Sequence, residues 1–211
     1  MILGRIRSAL ADVTQPDPAL DVPIEWEYGR PSGTADVLGT FVEMVVDYQA
    51  VVKRVPASEV AATIATLLTE YDVASVVVPA GLDPAWRSAI AAAGVELCTD
   101  DPPLSHQQLN RIGGVVTASA VGIAETGTIV LDHREDQGRR ALSLVPDLHV
   151  CVVRADQVVS DVPEAVGRLA GSVTEGHPLT WISGGSATSD IELSRVEGVH
   201  GPRTLLVVLA E

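Results

Sequence analysis

Short, unbroken apolar runs alternate along this chain with segments whose apolar residues recur every three or four positions. The runs Val51–Val55, Val73–Val78, Val95–Cys98, Val115–Ala118, Thr128–Leu131, His149–Val153, Leu179–Ile182 and Thr204–Leu209 predict strands. Helical spacing predicts helices over Ile2–Val13, Ala35–Ala50, Pro56–Tyr71, Pro84–Ala93 (closed by Gly94), Ser105–Ile112 and Val162–Leu169. One or two helical turns are expected over Asp136–Leu142. Strands alternating with helices imply crossover connections, and therefore an α/β fold with a mostly parallel sheet flanked by helices. The strand runs are apolar throughout rather than every second residue, as suits strands buried on both faces.

The rhythm breaks between Thr14 and Thr34, where Pro16, Pro18, Pro23 and Pro31 stand with two glycines. Residues 1–34 therefore read as an N-terminal helix and a proline-rich arm, and 35–211 as one compact α/β domain. No internal repeat or low-complexity tract is present.

Composition sharpens this picture. Apolar residues make up 46% and aromatics only 3%, so the core is built from Val, Leu, Ile and Ala. Fourteen Lys and Arg stand against 28 Asp and Glu, a formal charge of −14. That balance argues against nucleic acid as a partner and against an anionic membrane surface. No apolar run reaches 18 residues, so membrane insertion is not expected. The two cysteines, Cys98 and Cys151, lie in apolar stretches outside any C-x-x-C pair. They read as reduced thiols of a cytoplasmic protein, and two isolated cysteines do not hold a four-cysteine cluster or a structural zinc site. No cofactor of the chain's own is expected.

Ligands of open parallel sheets sit beyond the carboxyl ends of the strands, so strand-to-helix loops are where chemistry is sought. Two stand out. In the first, Glu125 precedes Thr126, Gly127 and Thr128 within a small and apolar stretch. A carboxylate there suits a nucleophile, a general base or a group orienting a ligand hydroxyl. The plainer alternative is that Glu125 caps a helix or binds loop amides, while Gly127 permits the turn. The second loop follows the run ending at Ile182 and carries Gly184, Gly185, Ser186, Thr188, Ser189 and Asp190. Its glycines allow close backbone approach, and a helix beginning near Ser189 offers amides to a small anionic ligand. Ser189-x-x-Glu192 equally fits a capping box that needs no ligand. It is neither a Walker A loop nor a G-x-G-x-x-G fingerprint.

His200 and Arg203 follow in a compact turn, Gly198 to Arg203. Arg203 suits a carboxylate grip, or a salt bridge to Asp190, Glu192 or Glu197; His200 suits proton transfer. Asp132 to Asp136 form a charge run that reads as a solvated loop, although Asp132 and His133 follow a strand. A shared site at one carboxyl edge is expected, with Glu125 facing the Gly184–Ser189 loop and Arg203 on the rim.

Four ordered blocks carry a resemblance: Ala124-Glu125-Thr126-Gly127-Thr128-Ile129-Val130-Leu131, Gly138 to Pro146, Ser186 to Glu192, and Gly198 to Arg203. They resemble the LUD-domain family. One departure is Gly185, where the family's Gly-Pro-Ser turn has proline; the change loosens the turn without moving it. The resemblance implies a NagB/RpiA/CoA-transferase-like fold. It implies a role in bacterial L-lactate utilisation, the oxidation of L-lactate to pyruvate with partner subunits. One implied partner is an iron–sulfur LUD-domain subunit; with two cysteines, this chain is expected to be an accessory subunit without a cluster. The related CoA transferases use a glutamate nucleophile in a Glu-x-Gly context, which Glu125-Thr126-Gly127 resembles. Two other readings stand beside this one: a stand-alone CoA-transferase/isomerase-like enzyme or small-carboxylate-binding protein, and a non-catalytic scaffold.

Overall fold

The computed structural model describes residues 2–13, 17, 34–188, 196, 197 and 201–211. The chain divides into two compact units, residues 1–30 and 31–211. In the first, helix α1 (Ile2–Ala9) is exposed along its whole length.

The second unit is built on a parallel sheet. Its strands are β1 (Val51–Val55), β2 (Ser75–Val78), β3 (Glu96–Thr99), β4 (Gly114–Thr117), β7 (Leu148–Arg154) and β12 (Thr204–Ala210), ordered β1-β12-β7-β4-β2-β3. All five neighbouring pairs are parallel. Alternate residues of β12 show why its sequence is an unbroken apolar run. Leu206 and Val208 pack with Ile64 and Leu67 of helix α3 (Val60–Glu70) and Ile90 of helix α4 (Pro84–Ala92). Leu205, Val207 and Leu209 pack on the opposite face with Phe41 and Val45 of helix α2 (Val37–Asp47).

That second face also meets a smaller mixed sheet, ordered β8-β5-β6-β9: β5 (Val121–Ile123), β6 (Thr128–Leu131), β8 (Val158–Val159) and β9 (Thr180–Ile182). Ile129 and Leu131 of β6 face the parallel sheet, whereas Val130 packs with Ala165 and Leu169 of helix α7 (Val162–Thr174). Two short helices, α5 (His106–Leu109) and α6 (Arg140–Leu144), cover the β2/β4 region through Leu109 and Leu142. A two-stranded antiparallel pair, β10 (Ala187–Thr188) and β11 (Val196–Glu197), completes the described elements. Among the described residues no helix is long and apolar enough to cross a membrane.

The expected mostly parallel α/β fold is present, with two differences. Thr128–Leu131 and Leu179–Ile182 do not join the parallel sheet; they pair antiparallel with each other in the second sheet. The helix expected from Asp136 begins instead at Arg140, because Gly138 sits at φ +69°, outside the helical region.

Candidate functional site

Beyond the carboxyl ends of β2 and β3 lies an open cleft of about 1150 Å³. Its floor is the turn Pro79–Gly81 after β2 and the turn Thr99–Asp101 after β3; its wall is the segment 133–139. Strand order reverses between β2 and β4, the switch point where open α/β sheets receive ligands. Here the segment 132–139 lies across that point. The Glu135 carbonyl accepts from the Gly81 amide after β2 (2.8 Å), and the Asp136 carbonyl accepts from the Ala118 amide after β4 (3.1 Å). A Cβ on Gly81 would lie 2.7 Å from the Glu135 backbone, so only glycine permits this closure.

Two guanidinium groups are fixed in the cleft. Arg139 forms a fork on Asp100, Nε to Oδ2 at 2.6 Å and Nη2 to Oδ1 at 2.9 Å, and also donates to the Leu104 carbonyl. Burial alone would raise the Asp100 carboxyl, but hydrogen bonds from Arg139 and the Leu104 amide hold it below its ordinary range. Arg87 donates to the carbonyls of Leu82 (3.3 Å), Ala80 (2.9 Å) and Pro79. In both arginines Nη1 has no partner among the described residues.

His133 stands on the same wall at φ +58°. Its Nδ1 lies 2.9 Å from the Gly138 carbonyl, which can only accept, so Nδ1 carries the proton. Nε2 then accepts from the Thr180 hydroxyl at 2.7 Å. Burial holds the ring's pKa below the ordinary imidazole value, in keeping with a neutral ring bonded at both nitrogens. The wall is anchored to α7 by Asp132, whose Oδ2 accepts from Ser172 (2.6 Å) and Arg134 (3.0 Å). Its Oδ1 is buried without a partner among the described residues. A second cleft of about 530 Å³, lined by Asp132, Asp136, Gln157 and Arg168 among others, opens on the far side of the wall.

The two glycine-bearing loops singled out in the sequence do meet, but not as expected. Antiparallel pairing of β6 and β9 sets the start of one beside the end of the other, and Thr126, Thr128 and Ser183 form a hydroxyl chain with both links at 2.8 Å. Gly127 (φ +56°) and Gly184 (φ +77°) both press on the end of α2: a Cβ would lie 2.6 Å from the Met44 carbonyl carbon and 2.5 Å from the Tyr48 oxygen. Gly185 presses likewise on the Arg203 carbonyl, and the Ser186 amide donates to Pro202 (2.7 Å). These glycines thus serve close packing of the chain on itself.

The shared carboxyl edge is therefore corrected. β6 and β9 belong to the second sheet, and the Gly184–Ser186 turn borders a small cavity of about 220 Å³ whose wall includes His149 and Leu205, near the amino ends of β7 and β12. Glu125 is exposed in the turn between β5 and β6; its amide donates to Ser160 (3.1 Å), and its carboxylate has no partner among the described residues. It caps none of the described helices, and it lines none of these three cavities. Arg203 pairs with Asp147 at 3.0 Å, both exposed; Asp190 and Glu192, two of the partners expected for it, lie outside the described residues. Thr188 lies in β10; Asp190 and His200 lie outside the described residues. Sequence reasoning passed over Arg87, Asp100 and His149. For the first two the available signal was position: both belong to segments that follow a strand of the parallel sheet.

The LUD domain family model matches residues 104–210. The chain is 53% identical over 179 residues to Lactate utilization protein C of Deinococcus radiodurans, covering 85% of this chain and 82% of that protein. It is 26% identical over 224 residues to Lactate utilization protein C of Bacillus pumilus, covering 99% and 92%. Among solved structures, a DUF162 family protein from Deinococcus radiodurans superposes with a TM-score of 0.73 at 47% identity, covering 84% of this chain and 98% of that one. This α/β protein belongs to the LUD-domain family.

Proposed function

We propose that the chain acts in bacterial L-lactate utilisation, as an accessory subunit of the system that oxidises L-lactate to pyruvate. The observation that carries this reading is the 53% identity to Lactate utilization protein C over 85% of the chain. The donor set supports the accessory role. Of the two cysteines, Cys151 is buried in β7 and Cys98 lies in β3, with two strands between them. At about 4.8 Å per strand they are roughly 14 Å apart across the sheet, too far to share a cluster. The electrons taken from lactate would pass to a partner subunit with iron–sulfur clusters.

The carboxyl-edge cleft is the place proposed for a small anionic ligand. Arg87 and Arg139 are already held by carbonyls and a carboxylate, so little side-chain freedom is lost when Nη1 takes up an anion. Titration of the labelled protein with sulfate checks this: amide shifts centred on Ala80, Gly81 and Asp100 are expected, and a response confined to other regions contradicts it.

The role itself is tested by deleting the gene. Growth on L-lactate should fail while growth on pyruvate continues, and a plasmid copy should restore the former. Unimpaired growth on L-lactate, in a host without a paralogue, would overturn the reading.

A further inference from the structure

We propose that the small cavity bordered by Gly184 and Gly185 is a binding site for a short 2-hydroxy acid, with His149 Nδ1 accepting the ligand's hydroxyl and the two glycine amides receiving its carboxylate.

The polarity of one buried hydrogen-bond chain carries the first half. Cys151 is fully buried, and burial pushes its thiol up to about 12, so the sulfur keeps its proton at neutral pH. Its Sγ lies 3.8 Å from the Ala118 carbonyl, which can only accept, so the S–H points there. The Thr117 hydroxyl then donates to Cys151 Sγ (3.8 Å). In the arrangement proposed here Thr117 Oγ1, its proton used, accepts from His149 Nε2 at 2.8 Å. The imidazole is 1% exposed and burial pulls its pKa down to about 4, so it is neutral and has one proton, which this arrangement places on Nε2. Nδ1 is left as a bare acceptor. His149 lines the small cavity, the space from which a ligand would meet this nitrogen.

The donors stand in the same wall. The amides of Gly184 and Gly185 have no acceptor among the described residues, and Gly184 sits at φ +77°. Consecutive amides around a left-handed residue form a concavity that holds an anionic oxygen. Among the described residues no charged side chain lines the cavity, in keeping with a single carboxylate as the anionic group. Leu144, Ile182 and Leu205 offer an apolar side for a short alkyl group. At about 220 Å³ the cavity has room for a small molecule of this kind. All the lining residues fall within the segment 104–210 matched by the family model. The donor–acceptor pattern stands alone, whereas preferring a 2-hydroxy acid to other small hydroxy compounds rests on the proposed role in lactate utilisation.

The test uses the full chain and three probes: L-lactate, pyruvate and propionate, the last two lacking the hydroxyl. Calorimetry should give L-lactate at least tenfold tighter than propionate, with pyruvate near propionate. His149→Phe should abolish that preference. Nitrogen NMR of the imidazole gives a second readout in the unaltered protein: a proton on Nε2 and a bare Nδ1, the latter shifting on addition of L-lactate. Thr117→Val, which removes the group that fixes the tautomer, should populate the other tautomer and narrow the preference. Equal affinity for L-lactate and propionate, or a proton found on Nδ1 in the free protein, overturns the proposal. A growth defect on L-lactate without L-lactate binding sinks this site and spares the role; binding without a growth defect does the reverse.

Discussion

At the scale of single residues, the features that shape the sites are contacts between positions far apart in the chain. Arg139 and Asp100 are 39 residues apart and form the fork on which the cleft rests. Nothing in the local sequence distinguishes Arg139 from Arg140 beside it, which is exposed. His149 reads as one more residue of an apolar strand, and only the Thr117–Cys151 chain gives its ring a direction. Gly184 was legible as a turn residue, but its neighbour, the Tyr48 oxygen, was not. Replacement by alanine separates the two demands. Gly94→Ala, at φ +80° with nothing within 4 Å, should cost only the left-handed penalty of about 1–2 kcal/mol. Gly184→Ala adds a collision with backbone and should cost clearly more; urea midpoints of the two variants check this.

Asp132 gives a pH-dependent counterpart. Burial acts to raise its carboxyl, but hydrogen bonds from Ser172 and Arg134 outweigh it, so the folded value is depressed. A depressed folded value contributes stability above the unfolded value, about 3.9, and loses it as pH falls through the folded one. Asp132→Asn should therefore cost about 1–3 kcal/mol at pH 7 and progressively less toward pH 3, as read from unfolding curves at both. A constant difference across that range would mean that the charge itself contributes nothing.

At the scale of elements, the parallel sheet was legible because its strands are buried on both faces and so carry continuous apolar runs. The second sheet was not, for two physical reasons. Its strands are two to four residues long, too short for alternation to register. Gly122, in the centre of β5, leaves room for the Phe41 ring, 3.1 Å from where a Cβ would stand, and a glycine there hides the strand. Antiparallel pairing of β6 with β9 then brought together two loops that had been expected to meet at a parallel edge. The layer depends on α7 docking over β5 and β6. That helix begins at Asp161, whose carboxylate accepts from the Glu164 amide at 2.9 Å, while Glu164 accepts in turn from the Ser160 amide. Asp161→Ala should lower stability by about 1 kcal/mol with an unchanged denaturant slope. A fall in the slope would instead signal that the layer has loosened as a unit.

At the scale of the whole molecule, the family was readable from four ordered blocks because they hold the positions the fold constrains most. Gly127 sits against α2, Arg139 in its fork, and Ser186 and Gly201 at the small cavity. What those blocks did not carry was the carboxyl-edge cleft, since Pro79–Gly81, Arg87 and Asp100 lie before residue 104, outside the matched segment. On the proposed reading the chain is a subunit working beside a redox partner in lactate oxidation, and that division of labour can be measured. The purified chain and the assembly co-purified with its tagged form from lactate-grown cells would each be supplied with L-lactate and an artificial electron acceptor. The assembly should reduce the acceptor and the chain alone should not. Turnover by the chain alone, or full activity of an assembly from which the chain has been deleted, would contradict the account.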